Sequence, residues 1–364
     1  MKIEQIKVEH YSVPSALFAK NEVTDTTHRI PSLEIIVARV VTDTGIEGVG
    51  YTYTTGHNAL TVKQMILEEI IPVYERQQLR QYDYLWKKAW WQTHWAGRGG
   101  VATLAMAAVD IGVWDARAKA AVLPLYKFIG EHRNGIQAYG SGVNLSYSLD
   151  ELLEETKEHM DSGFVGVKIK VGLPDMEEDL ERLKAVRKLT GNKVKIMVDA
   201  NMGWQINEAL MRAAALKEIG LAWIEEPFIP EDIEAHAQLG RITGIPIAAG
   251  ENLYSCYQFN DYFRKQAIQV VQADVVRCGG ITEWLKIAHL AAVYNLQMAP
   301  HFMVDLHVSL LCAIPNAYIA EYLPWFHPVQ INPVRTTDGI LHPKEQPGHG
   351  IEFNWELLKQ YQVK

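Results

Sequence analysis

Cysteine is scarce in this 364-residue chain: Cys256, Cys278 and Cys312 are odd in number and scattered. They suggest neither a disulfide framework nor a zinc knuckle, and they point to a reducing cytoplasm. Long apolar runs are also missing, so no segment is expected to span a bilayer. The opening Met1-Lys2-Ile3-Glu4-Gln5-Ile6-Lys7 alternates like an edge strand and lacks the apolar core of a signal peptide. No low-complexity stretch occurs. No Gly-x-Gly-x-x-Gly opens a βα turn, which argues against a dinucleotide-binding open sheet. Positive charge is not in excess: the net charge of −8 argues against nucleic-acid or anionic-membrane partners. What is present, 48% hydrophobic and 21% charged residues, is the composition of a soluble globular enzyme. The length suits a barrel plus a smaller domain.

The chain changes character along its length. Residues 2–13, 33–42 and 46–54 read as antiparallel strands, the last two joined at Thr42-Asp43-Thr44-Gly45. Helical patterns follow at 58–73, 82–90 and 100–119, the last rich in small residues that allow close packing. From about residue 136, strand and helix alternate. Candidate strands are 137–141, 165–170, 194–199, 221–225, 246–250, 270–274, 296–300 and 317–321, with amphipathic segments such as 176–189 and 206–219 between them. Eight strands at this spacing predict a closed barrel. The tail from about 326, with Pro328, Pro333, Pro343 and Pro347, is expected to fold back on the first domain.

Three carboxylates close successive strands: Asp199, Glu225 and Glu251, spaced 225 − 199 = 26 and 251 − 225 = 26. Barrels keep their active sites at this end of the strands. A single strand-end acid reads as a helix cap or turn residue, but three in register need a cation between them, and all-oxygen donors suit a hard ion such as Mg²⁺. Glu226, beside Glu225, reads as a supporting group. The second barrel strand ends in Val167-Lys168-Ile169-Lys170, which turns both lysines inward. Mutual repulsion is then expected to lower at least one lysine pKa toward neutrality, making a base; the plainer reading is one edge lysine and one solvated lysine. Asp274 and His301 end neighbouring strands, and a carboxylate on one imidazole nitrogen raises the basicity of the other. Glu321 ends the eighth strand. Burial among anions would keep it protonated, as a hydrogen-bond donor to a substrate oxygen; the alternative is a cap for the next element. The tryptophans at 86, 90, 91 and 95 recur at nearly helical spacing and read as core or interface packing.

In order, strand assignment and spacing, these residues resemble the enolase superfamily and, within it, the mandelate racemase subgroup. The likeness covers nearly the whole chain. It rests on Lys168-Ile169-Lys170, on Asp199, Glu225 and Glu251, on Asp274 with His301, and on Glu321. It implies an α/β plus α+β fold: an N-terminal capping domain over 1–127, a modified (β/α)₇β TIM-like barrel over 128–325, and a C-terminal segment, 326–364, packed on the capping domain. It also implies one Mg²⁺ per active site, held by Asp199, Glu225 and Glu251. A Lys or His base working on a Mg²⁺-stabilised enediolate is the pattern already established for the superfamily. Gly50-Tyr51-Thr52-Tyr53-Thr54, Gly97-Arg98-Gly99-Gly100 and Ile233-Glu234-Ala235-His236-Ala237-Gln238-Leu239 resemble galactarate/L-talarate dehydratases. The first two, with Gly250-Glu251-Asn252-Leu253, also resemble 3,6-anhydro-L-galactonate cycloisomerases.

The expected reaction is abstraction of the proton α to the carboxylate of an acid sugar. Loss of the β-hydroxyl would then give a 2-keto-3-deoxy acid, a lyase reaction; cycloisomerisation or racemisation/epimerisation is the alternative. Lys170 is expected on one face of the α-carbon and His301, oriented by Asp274, on the other, with Lys168 lowering the pKa of Lys170. Specificity is expected from loops 14–31, with His28 and Arg29, and 51–57, with Tyr53 and His57. The candidate substrate contacts are Asn201, His28, Tyr53 and Arg98, each also readable as an ordinary loop residue or an aromatic anchor. The expected partner is a small aldonate or aldarate, bound by a cytoplasmic homo-oligomer. A catalytically silent barrel is disfavoured because Lys170 and His301 are both present. A phosphate-binding barrel lacks its glycine-rich loop after the late strands.

Overall fold

The computed structural model describes residues 1–20, 23–27 and 29–364. Three antiparallel strands open it: β1 (Ile3–Pro14), β2 (Ser32–Thr42) and β3 (Glu47–Thr54), paired in the order β1-β2-β3. Against them pack α1 (Ala59–Met65) and α4 (Val101–Ala120), while α2 (Ile71–Tyr74) packs on α3 (Tyr82–Gln92) and α3 on α4, with α5 (Leu125–Ile129) leading out. The helix expected over 58–73 is interrupted by a π-turn at Ile66–Ile70. The small residues of α4 do what their size allows. A Cβ on Gly50 would stand 1.9 Å from the Ala108 carbonyl oxygen, and one on Gly48 would stand 2.0 Å from that of Gly112. Helix and sheet backbones therefore meet directly.

Eight parallel strands follow: β4 (Ile136–Ser141), β5 (Gly166–Lys170), β6 (Lys195–Asp199), β7 (Leu221–Glu225), β8 (Ile247–Ala249), β9 (Val270–Val271), β10 (Gln297–Met298) and β11 (Ala320–Tyr322). Seven helices alternate with them: α6 (Leu149–Asp161), α7 (Met176–Thr190), α8 (Ile206–Ala215), α9 (Ile233–Thr243), α10 (Cys256–Arg264), α11 (Ile281–Val293) and α12 (Val304–Cys312). Ser148 and Glu151 form a reciprocal cap on α6, and Asp175, Asp232 and Ser255 cap α7, α9 and α10. Strand order runs β4 to β10 in sequence. The circle closes where β11 pairs with β4 and where Ala317, just before β11, bridges Met298 of β10. This is the (β/α)₇β barrel.

The late strands are shorter than expected. β9 stops at Val271 and not at residue 274, because the backbone beyond it turns. Arg277 and Cys278 donate their N–H groups to the Asp274 carbonyl, and Val276 donates to its Oδ1. The tail does not pack on the first domain alone. Gln362 bridges Tyr11 of β1, but the hairpin β12 (Thr336–Thr337) and β13 (Ile340–Leu341) pairs with the barrel strand β4. A last helix, α13 (Trp355–Lys359), follows. Among the described residues, no helix is long and apolar enough to cross a membrane.

Candidate active site

One side chain from each of seven strand lines forms an apolar floor inside the barrel: Tyr139, Met197, Trp223, Ala248, Val270, Ala299 and Ile319. Strand side chains alternate faces, so the next inward position lies two residues on. From Met197, Trp223, Val270, Ala299 and Ile319 that step reaches Asp199, Glu225, Gln272, His301 and Glu321, and one step past Gln272 reaches Asp274. Lys168 and Lys170 occupy the inward positions of β5. A polar ring thus sits on an apolar floor at the C-terminal end of the barrel.

Glu251 breaks this parity. Ala248 faces in, so alternation would place residue 250 inward and 251 outward. Gly250, at φ +154°, reverses the chain's direction there, and a Cβ on it would stand 2.6 Å from the Gln272 carbonyl carbon. Glu251 consequently lines the same cavity as His301. Backbone strain gathers at these strand ends: Asn201, Met202, Glu226, Phe302 and Met303 all have positive φ.

The carboxylates are neutralised by the lysines. Lys168 Nζ lies 2.6 Å from Glu225 Oε1, 2.7 Å from Glu321 Oε1 and 3.5 Å from Asp199 Oδ2. Lys170 Nζ donates to Asp199 Oδ2 at 2.6 Å and to Asn201 Oδ1 at 2.8 Å. The other oxygen of Glu225 accepts from Gln272 Nε2 at 2.6 Å and from Trp223 Nε1 at 3.2 Å. His301 Nδ1 sits 2.9 Å from Asp274 Oδ2, and its Nε2 lies 3.3 Å from Glu251 Oε2. Asp199 and Glu225 are fully buried behind the two lysines. Among the described residues, no three His, Cys, Asp or Glu side chains are drawn closely enough together to enclose an ion.

These contacts correct two expectations. Burial disfavours charge on both lysines, but Glu225, Glu321 and Asp199 outweigh it at Lys168, and Asp199 does so at Lys170, so both pKa values rise. The nearby carboxylates prevail over lysine–lysine repulsion because several of them act on each lysine against one opposing cation. Glu321 is not held protonated. Burial pushes its pKa up, but Lys168, His301 and the Phe302 N–H, 2.6 Å from Oε2, bring it well below the usual range. Burial acts against charge on His301 too, yet Glu251, Asp274 and Glu321 raise it to about 9. At Glu225, burial and the surrounding acids outweigh Lys168, and the pKa rises.

The ring opens into a cavity of about 280 Å³ lined by Lys168, Lys170, Asn201, Glu251, His301 and Glu321 from the barrel and, from the capping domain, by Tyr53 near the end of β3 and by the loop residues Asp25, Thr27, Ile30 and Thr55. Thr26 anchors its loop by donating to the carbonyls of Ala200 and Asn201, at 2.9 Å each. Of the candidate substrate contacts, Asn201 and Tyr53 line the cavity. His28 lies outside the described residues. Arg98 is exposed with its guanidinium 4.7 Å from the Trp90 ring centroid, and it does not line the cavity; cation–π attraction holds it on the surface. His57 lines a separate cavity of about 310 Å³, walled from the first by Tyr53 and Arg277.

Sequence reasoning missed Asp25, Thr27, Thr55, Gln272 and Arg277. Gln272 was legible as the inward position between Val270 and Asp274. Arg277 follows Asp274 by three residues, within the turn that ends β9. The loop residues carry no local pattern that distinguishes them from solvated ones.

Residues 19–130 match the mandelate racemase/muconate lactonizing enzyme N-terminal domain, and residues 151–357 match the enolase C-terminal domain-like family. The chain is 34% identical to a 3,6-anhydro-α-L-galactonate cycloisomerase from Streptomyces coelicolor, over 99% of each protein. It is also 34% identical to an L-talarate/galactarate dehydratase from Salmonella typhimurium, over 100% of this chain and 92% of that one. The crystal structure of L-talarate dehydratase from Polaromonas, complexed with Mg and L-glucarate, superposes with a TM-score of 0.93 at 31% identity, covering 100% of this chain and 98% of that one.

Proposed function

The chain belongs to the mandelate racemase/muconate lactonizing enzyme family of the enolase superfamily, and from that premise we propose that it removes the proton α to the carboxylate of an acid sugar and expels the β-hydroxyl as water. One observation carries this reading: Lys170 and His301, each paired with a carboxylate, face a single cavity beside Asp199, Glu225 and Glu251. Relatives that act on acid sugars, one crystallised with Mg and L-glucarate, support it.

Asp199, Glu225 and Glu251 fit one Mg²⁺ in donor type, all being oxygen donors at three successive strand ends, and to hold it they would have to draw together as Lys170 and Lys168 give way at Asp199 and Glu225. Bound Mg²⁺ supplies fixed positive charge where negative charge gathers on the substrate carboxylate. If Asp199 held the ion, Lys170 would lose its counter-ion and face Lys168, the arrangement that lowers an amine's pKa. Lys170 Nζ then accepts the α-proton. His301, held protonated and oriented by Asp274, gives a proton to the departing hydroxyl. Asn201 keeps Lys170 aimed, and Lys168 faces the substrate carboxylate while the ionised Glu321 holds that lysine in place. Cycloisomerisation is the second reading, favoured by the likeness to the Streptomyces enzyme over 99% of both chains.

The three unpaired cysteines support a cytoplasmic setting. Exposed Trp91 and Trp95, at 52% and 92%, support self-association. The test of function is incubation with Mg²⁺ and a panel of aldonates and aldarates. A semicarbazide-reactive 2-keto-3-deoxy acid from at least one of them is expected. Ring opening or closing without loss of water would establish the second reading instead, and α-epimerised starting material alone would sink both.

A further inference from the structure

Lys168, Lys170 and His301 each have a carboxylate within ion-pair distance. Arg277, the other cation lining the cavity, has none among the described residues. Its hydrogen bonds go to neutral groups. Nε donates to the Glu251 carbonyl oxygen at 2.5 Å, and Nη2 donates to Asn252 Oδ1 at 2.7 Å. Asn252 Nδ2 in turn donates to both carboxylate oxygens of Glu226, at 2.9 and 3.1 Å. On the other side the guanidinium lines the same cavity wall as the Tyr53 side chain of the capping domain.

We infer that Arg277 is a positioning residue for the metal-binding carboxylate of Glu251, acting where that segment meets the capping domain beside Tyr53. The inference rests on the proposed role of Glu251 as a Mg²⁺ ligand. Glu251 lies beyond the end of β8, which stops at Ala249, and Gly250 at φ +154° frees it from the strand's alternation. The ladder therefore does not fix the direction of its side chain. Arg277 grips the Glu251 main chain and the side chain of the next residue at once, and so fixes it from two points. A guanidinium suits this task because it stays charged and presents its donors in a rigid fork.

The test is calorimetric titration of the full-length protein with Mg²⁺, with thermal unfolding measured on the same samples. Groups that orient metal ligands typically change metal affinity 10–100-fold. Arg277→Met is expected to raise the Mg²⁺ Kd about tenfold or more. Arg277→Lys, which keeps the charge but cannot make both bonds, is expected to fall between Arg277→Met and the wild type. A purely structural role would lower the melting temperature and leave the Kd alone. A Kd within about twofold of wild type in Arg277→Met, or in Arg277→Lys if the methionine variant does not fold, overturns the inference. Glu251→Gln separates the two levels. If it leaves Mg²⁺ binding unchanged, the metal assignment itself is wrong and this inference falls with it. If it weakens binding while folded Arg277 variants do not, only the role of Arg277 is lost.

Discussion

Lys170 and Asp199 form a 2.6 Å ion pair between neighbouring strand ends, so the proposed base is tied to a proposed metal ligand. His301 is tied in the same way, 2.9 Å from Asp274 on its outer side and 3.3 Å from Glu251 on the cavity side. Two bases held by different strands can be separated experimentally. Lys170→Ala is expected to abolish exchange of the α-proton with D₂O, while His301→Asn keeps exchange for one substrate diastereomer and loses turnover. NMR of recovered substrate reads this directly. Full turnover by His301→Asn would refute its role.

Glu225 touches Lys168, Gln272 and Trp223, so its removal leaves buried donors unpaired. Glu225→Gln keeps its size and some of its bonding. We expect turnover to fall at least about a thousandfold, as when a preorganised electrostatic group is lost, with the far-ultraviolet circular dichroism unchanged. Treatment with EDTA should abolish activity, and added Mg²⁺ should restore it. Activity that survives EDTA would contradict the metal assignment.

Trp91 and Trp95 project from the end of α3 and the loop beyond it, while Trp86 and Trp90 of the same run are buried. A surface carrying two exposed indoles is expected to be covered by another copy of the chain. Sedimentation velocity of wild type and Trp95→Ser should show a shift toward smaller species in the variant. A monomeric wild type would end this expectation.

Gly50 is where α4 presses on β3. A methyl group there would enter the space of the Ala108 carbonyl, 1.9 Å away, and backbone cannot swing aside as a side chain can. Gly50→Ala should cost about 3 kcal/mol or more through overpacking, read as a lower midpoint in urea. An unchanged midpoint would mean that helix and sheet can part without penalty.

Glu34 supplies the pH dependence. Burial would raise its pKa, but hydrogen bonds from His10, Ser12 and Ser32, at 2.7, 2.6 and 2.7 Å, bring it down to about 2 from 4.5. A carboxylate with a depressed folded pKa stabilises the fold above its unfolded pKa and loses that contribution as pH falls through the folded one. The contribution, on the order of 3 kcal/mol, should be complete above about pH 4.5 and fade toward pH 2. Thermal unfolding of Glu34→Gln should therefore differ most from wild type near neutrality and converge with it in acid. A gap that stays constant with pH would refute the linkage.

Much of this protein was determined by sequence alone, because strand periodicity is local. Alternation by two carries Met197 to Asp199, Trp223 to Glu225 and Ile319 to Glu321, so the barrel and its polar strand ends could be read directly from the chain, while the apolar floor beneath them came with the structure. Regular spacing likewise exposed the repeat, and small residues announced the close approach of α4. Tertiary structure decided the rest. Glu251 reaches the cavity only because Gly250 reverses its parity. The pKa values of Lys168 and Lys170 are raised because carboxylates from three other strands surround them, a sum over neighbours that no single segment contains. Arg277 acquires its partners from Glu251 and Asn252, 26 and 25 positions away in sequence. Arg98, attractive in its glycine-flanked setting, went to the face of Trp90. Periodicity fixes which way a strand residue points; charge state and loop contacts depend on what the fold brings opposite it.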